Sequence, residues 1–400
     1  MAFLVGSFSL VFVLTFHTIL AYLIKWVRYP LLIGVFLRIA FVLIDHFVMR
    51  LPDHGSDALS FHLQAISWSQ NGFVAMLSNF PGPTTYFYAW VLAFFYSILE
   101  PSVLLAQAIS VFLGGWIIVL SAVLAKKVAG RNVAVRSAWL VALFPTLILY
   151  SSIPLREPFL VLFFLIAVYG AVSWSKYNSK LGVLIAFFGF FMATFFHGAF
   201  AIGALGFLGL LIYKSIKQSI NGFQNRKLRS GSIVISAVAP LMLMAFIIGG
   251  VAIPKLGSVF DALDANRIIA IVNYSARDGA AYPSWTQPNT PVELLIKSPI
   301  RVVYFLFSPF PWDVSKPQHL IGLLDGFFYL VIFFLIFRKW RDLSPEAKFL
   351  LLIAGPIILA FALAIGNFGT GVRHRAKFAP LFLIVCSVAS MTTNKKSKRK

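Results

Sequence analysis

Apolar residues in this chain show neither the alternation of a half-buried strand nor the narrow stripe of a soluble amphipathic helix. They come in unbroken runs of about 18 to 24 residues, separated by short polar segments. A helix rising about 1.5 Å per residue needs roughly 20 such residues to cross the hydrocarbon of a bilayer. Lipid offers no partner to backbone amides and carbonyls, so each crossing must satisfy them internally as a helix. The runs predict spans at 3–24, 30–48, 103–125, 133–151, 158–174, 181–196, 199–213, 231–252, 320–337, 347–366 and 377–392. The expected fold is therefore all-α: a polytopic transmembrane helical bundle of about 11 spans, forming one integral membrane domain over 1–400.

The basic clusters orient this bundle. Lys25 and Arg28 follow the first span, Lys126, Lys127 and Arg131 the third, and Lys176 and Lys180 the fifth. Lys214, Lys217, Arg226, Lys227 and Arg229 follow the seventh, Arg338, Lys339 and Arg341 the ninth, and the tail reads "KKSKRK". All follow odd-numbered spans, so one assignment places every cluster in the cytoplasm, with the N-terminus outside and the tail (393–400) inside. This parity requires "TTYFYAWVLAFFYSIL" (84–99) to lie in the outer interface, in keeping with its Tyr and Trp content. "RVVYFLFSPFPW" (301–312) is treated alike, because its prolines end a helix. The first segment has no charged n-region and no small-residue cleavage site, so it reads as a retained span. Two large outer loops result, 49–102 and 253–319, with short ones at 152–157 and 367–376.

Composition agrees with this picture: 60% hydrophobic residues, 42 Phe, 12% charged residues and a mean hydropathy of +0.87. The net charge of +21 reads as topology and contact with anionic lipid head groups, and nucleic acid is not an expected partner. The single cysteine, Cys386, excludes a disulfide framework and a thiolate metal site. Of 13 acidic residues only Asp342 and Glu346 fall in cytoplasmic loops, so any chemistry belongs to the outer face.

Several outer residues are candidates for it. Asp57, in "GSDALSFH", is either a helix N-terminal charge or a general base or metal ligand, with His62 five residues on. Arg156 and Glu157, between two prolines in "PLREPF", are either a structural pair or functional groups at membrane depth. Arg267 and Arg277 in 261–285 offer contacts to an anion, and Tyr282 and Trp285 offer faces for a sugar ring; a solvated loop is the alternative. "NFGTGVRHRAK" (367–377) places Arg373, His374, Arg375 and Lys377 on the outer side, where the positive-inside bias does not account for them. A phosphate or diphosphate does, with lipid head groups as the competitor. Asp53, Asp57 and Glu157 are the only hard outer ligands for a divalent metal, which leaves metal use possible but assigns no metal ligand.

The chain resembles the GT-C superfamily of polyprenyl-phosphate-dependent membrane glycosyltransferases. The likeness rests on an Asp early in a large first outer loop ("GSDALSFH"), the helix and turn "FYSILEPS", an acid about 100 residues later ("PLREPF") and the closing "GVRHRAKFAPLFLIV". It implies a sugar donor linked to a polyprenyl phosphate or diphosphate, with Asp57 as base or metal-coordinating residue and Glu157 assisting. It also implies that the basic residues near the outer surface hold the lipid phosphate. The density of Arg and His is similar to that of O-antigen polymerases and ligases, which act at the same face without a required metal. The resemblance does not extend to the soluble C-terminal domain that some superfamily members carry. A flippase or other polytopic transporter is the competing class; the ionisable residues gather in outer loops, with Arg38 and Asp325 as exceptions within spans.

Overall fold

The computed structural model describes residues 1–224, 264–276, 279–316 and 319–397. Helices α1 (Ala2–Leu23) and α2 (Arg28–Phe47) form an antiparallel pair joined by a tight turn at Lys25–Val27. The segment after them holds three short helices, α3 (Leu59–Ser69), α4 (Gly72–Ser78) and α5 (Phe87–Ile98). Next come α6 (Val103–Ala129), α7 (Arg131–Leu143), α8 (Pro145–Tyr150), α9 (Glu157–Tyr177), α10 (Lys180–Phe196) and α11 (Phe200–Gln224). The C-terminal part holds α12 (Ala265–Ser275), α13 (Pro291–Phe307), α14 (His319–Arg338), α15 (Pro345–Ala364), α16 (Phe368–Arg375) and α17 (Ala379–Ser397). Among the described residues there is no strand, only an isolated bridge between Ala281 and Asn367.

Seven of the described helices are long and apolar enough to cross a membrane: α1, α2 with its preceding turn, α6, α9, α11, α14 and α15. The chain is an integral membrane protein, but the expected count of about 11 spans is not reproduced. The predicted span at 133–151 is broken into α7 and α8, because Phe144 precedes Pro145 and adopts extended backbone (ψ 120°). The one at 181–196 forms a helix of 17 residues, and α17 runs into the polar sequence "TTNKKS". The segment predicted at 231–252 lies outside the described residues. The 84–99 stretch forms the 12-residue α5, too short to cross, and packs on α3. Residues 301–307 are the end of the longer α13, after which Pro309 and Pro311 prevent continuation.

Packing makes α6 the hub: 72% of its apolar stretch is buried against 22% of α1, and α1, α2, α7 and α9 all lie on it. The closest crossing is α9 with α10. A Cβ added at Gly170, Gly182 or Gly189 would come within 2.4–2.7 Å of backbone in the facing helix, so only glycine allows this approach.

The two ends of the bundle differ in charge. At one end Lys126 lies 5.3 Å from the Trp26 ring, Lys176 Nζ donates to the Lys127 carbonyl at 2.8 Å and sits 4.0 Å from Glu346, and Lys214 lies 4.6 Å from the Trp174 ring. The acidic residues Asp45, Asp57 and Glu157 stand at the other ends of α2 and α9, and Arg373 joins them there.

Candidate functional site

Three separate segments build the site. The first begins where α2 ends. Asp45, fully buried, accepts hydrogen bonds from the Leu51 amide and Gln107 Nε2, each at 2.8 Å, and pairs with His54 Nδ1 at 2.7 Å. Those contacts fix the turn that follows. Asp53 takes a left-handed backbone (φ 66°), tolerable for Asp, and accepts from the Tyr150 hydroxyl at 2.9 Å. A single π-helical turn, His54–Ala58, then presents Asp57.

The second segment is the irregular stretch between α8 and α9. Buried Arg38 of α2 donates to Ser151 Oγ at 2.7 Å and to the Ala142 carbonyl at 3.2 Å, and Ser152 Oγ donates to the Arg38 carbonyl at 3.1 Å. Thus anchored, the chain delivers Arg156 and places Glu157 at the start of α9, where the helix dipole favours a carboxylate. Arg156 Nη1 donates to the Phe196 carbonyl at 3.1 Å.

The third segment is α16, whose N-cap Asn367 accepts from the amides of Gly369 (2.8 Å) and Thr370 (3.3 Å). The 280–282 stretch holds its start in place, through Phe368 N to Ala280 O at 2.9 Å and Tyr282 N to Gly366 O at 2.8 Å.

These segments meet at Arg373. Its Nη1 donates to Asp57 Oδ2 at 2.6 Å and its Nε to Glu157 Oε1 at 2.7 Å, uniting residues 316 and 216 positions apart. Lys377 Nζ lies 3.8 Å from the same Glu157 oxygen. Burial opposes the charge on Arg373, but Glu157 and then Asp57 outweigh it and hold the guanidinium firmly protonated. Three buried polar atoms have no hydrogen-bond partner here: Arg156 Nε, Glu157 Oε2 and Arg373 Nη2. Orphaned groups of this kind are costly, and a polar ligand or water that meets them recovers the cost.

The other expected site residues are distributed differently. His374 is stacked on Phe361 at 4.6 Å and accepts at Nδ1 from Lys377 Nζ. Burial and then Lys377 push its pKa well below the ordinary 6.5, so it is neutral near pH 7 and adds no charge. Its expected part as a cationic partner of phosphate does not fit this burial. Arg375, two residues past Arg373, points into the bundle. It is fully buried, donates to Asp325 Oδ2 at 2.6 Å, and donates to the carbonyls of Leu306 (3.3 Å), Gly322 (3.1 Å) and Ser308. With its donors so occupied, Arg375 is a structural ion pair and not a phosphate ligand.

His62 turns to Tyr96. The Tyr96 hydroxyl donates to the Ser102 carbonyl at 3.1 Å, so His62 Nδ1–H donates to Tyr96 at 2.8 Å and Nε2 carries the lone pair. Burial, and then His54, lower its pKa. Tyr282 is buried, against Tyr304 at 5.3 Å and under Gly371, so its face is closed to a sugar. Trp285 is 58% exposed, edge-on to Tyr304. Arg267 lies on α12, more than two turns from the Ser275–Gly366 contact that ties that helix to α16. Arg277 lies outside the described residues.

Sequence reasoning missed an apolar groove that touches the first turn of α9. Phe8 and Phe12 of α1, Phe95 of α5 and Leu99 just after it, Phe112 of α6 and Phe159 of α9 line an apolar cavity of about 620 Å³. Phe159 is two residues from Glu157. Only the aromatic excess of these helices hinted at it. Tyr150 was also missed as a neighbour of the pair, and Asp53 was grouped with Asp57 and Glu157 only as a hard metal ligand.

The family models, curated proteins and solved structures compared with this chain yield no match. The geometry therefore carries the functional reading alone. Among the described residues no three His, Cys, Asp or Glu side chains come together as metal ligands. Asp57 and Glu157 are already bridged by a guanidinium, a donor set that does not fit a divalent ion.

Proposed function

We propose that this protein is a membrane glycosyltransferase acting at the outer face of a bacterial inner membrane, with its N-terminus outside and its C-terminus in the cytoplasm. It transfers a sugar or oligosaccharide repeat unit from a polyprenyl phosphate or diphosphate carrier to a hydroxyl in cell-surface polysaccharide assembly, of the O-antigen or capsule type. The observation that carries this reading is the Asp57–Arg373–Glu157 bridge with its orphaned buried atoms, in a bundle whose apolar groove reaches the first turn of α9, the helix that begins with Glu157.

In the reaction the acceptor oxygen forms a bond to the anomeric carbon while the bond from that carbon to the phosphate oxygen breaks. Asp57 takes the acceptor proton, with the lone pair of His62 Nε2 as the second candidate base. The bonding electrons leave with the phosphate, whose charge falls to Arg373, Arg156 and Lys377. Glu157 keeps Arg373 oriented. The isoprenoid tail occupies the groove, whose volume lies within the range of small-molecule sites.

The test is cell-surface polysaccharide resolved by chain length on a gel, comparing a deletion strain complemented with wild type, Asp57→Asn and Arg373→Ala. A deletion that leaves single repeat units, restored to a ladder by wild type, identifies a polymerase. Loss of one sugar with chain length intact identifies a single-sugar transferase. Point variants that match wild type remove these residues from the site. A glycan unchanged by the deletion overturns glycosyl transfer and favours a transporter.

A further inference from the structure

Arg373 occupies the position from which a bound anion has to draw it. Two of its nitrogens are spent on Asp57 and Glu157, and the third, Nη2, is buried without a partner. The two carboxylates hold it unequally. Glu157 is 2% exposed and has Lys377 Nζ 3.8 Å from the oxygen that Arg373 binds. Asp57 is 51% exposed, so water solvates it as soon as the guanidinium turns away. Exposed ion pairs contribute little, whereas a phosphoryl group offers several oxygens to the same forked donors. While Arg373 donates to Asp57 Oδ2, an acceptor hydroxyl has to compete with a charged donor for that carboxylate.

We infer that Arg373 is a substrate-operated latch: it pairs with Asp57 while the site lacks an anion, and an incoming phosphate or diphosphate pulls it across, which frees Asp57 for the acceptor. This rests on the reading of the site as one for lipid-linked phosphate. Donor binding then precedes full release of the base from its cationic partner. Glu157 is the pivot, because its contact with Nε persists in both positions.

Farnesyl diphosphate and the full-length protein in nanodiscs test this. In wild type, carbodiimide labelling of Asp57, followed by mass spectrometry, is expected to rise when the probe binds. Asp57→Asn removes the competing partner and is expected to tighten probe binding about two- to five-fold, the scale of one exposed ion pair. Asp53→Asn is the control. It removes the same charge close enough to feel Arg373, but its carboxylate is bound to Tyr150 and not to the latch. A smaller effect of Asp53→Asn than of Asp57→Asn supports the latch, and equal effects reduce it to a general field and overturn it. Bound probe with unchanged or reduced Asp57 labelling also overturns it while leaving the phosphate site standing. Failure of the probe to bind wild type removes both.

Discussion

Two arginines separated by one residue, Arg373 and Arg375, are given opposite roles by the structure, and replacing Arg375 by alanine tests that division. Its side chain and that of Asp325 are 0% and 1% exposed, and they meet at 2.6 Å. Removing one partner of a buried pair leaves an uncompensated charge, at about 3–5 kcal/mol. Asp325 keeps the Thr146 hydroxyl at 2.9 Å, which offsets a little of this. The carbonyls of Leu306, Ser308 and Gly322 also lose their donor, at roughly 1 kcal/mol each. The expected loss therefore lies at or above the upper end of that range. Thermal unfolding in detergent, with size-exclusion profiles, measures it. Asp325→Asn keeps the shape of the acid and is expected to cost less, while the apolar pair Arg375→Met with Asp325→Leu is expected to recover much of the stability. Arg373→Ala should instead abolish glycan assembly at a smaller cost in stability, since Lys377 Nζ still lies 3.8 Å from Glu157 and Asp57 is half-exposed. An Arg375→Ala protein as stable as wild type but inactive would refute the assignment and return Arg375 to the phosphate site.

Gly189→Leu in α10 places a side chain where a bare Cβ already lies 2.4 Å from the Ala167 amide, so the α9–α10 crossing should open and Tm fall sharply, read by the same unfolding assay. His374 has a folded-state pKa below 6.5 because of burial and Lys377. The unfolded chain therefore binds the extra proton first, and stability declines as pH falls below about 6.5. His374→Gln should flatten that part of a stability–pH profile and leave the region above it unchanged. Ala108 lines the apolar groove, so Ala108→Trp is expected to reduce turnover of long-chain donors roughly ten-fold while sparing short-chain ones; equal effects on both would remove the lipid tail from the groove.

The sequence by itself determined the class of molecule, an all-helical integral membrane protein. Uninterrupted apolar runs leave the backbone no solution but helices, and Lys126, Lys176 and Lys214, from three of the expected basic clusters, do pack at one end of the bundle. It also brought forward Asp57, Glu157 and Arg373, because ionisable residues are rare in such a chain and each stands beside a span. Only the tertiary structure decided that these three meet, since residues more than 200 positions apart share no local signal. Only it separated Arg373 from Arg375. On a helix, residues two apart lie about 200° from each other, so in "RHR" one arginine faces the carboxylates and the other faces Asp325. The groove escaped the sequence for a related reason: its wall comes from several helices, and an apolar residue facing lipid reads the same as one facing a cavity.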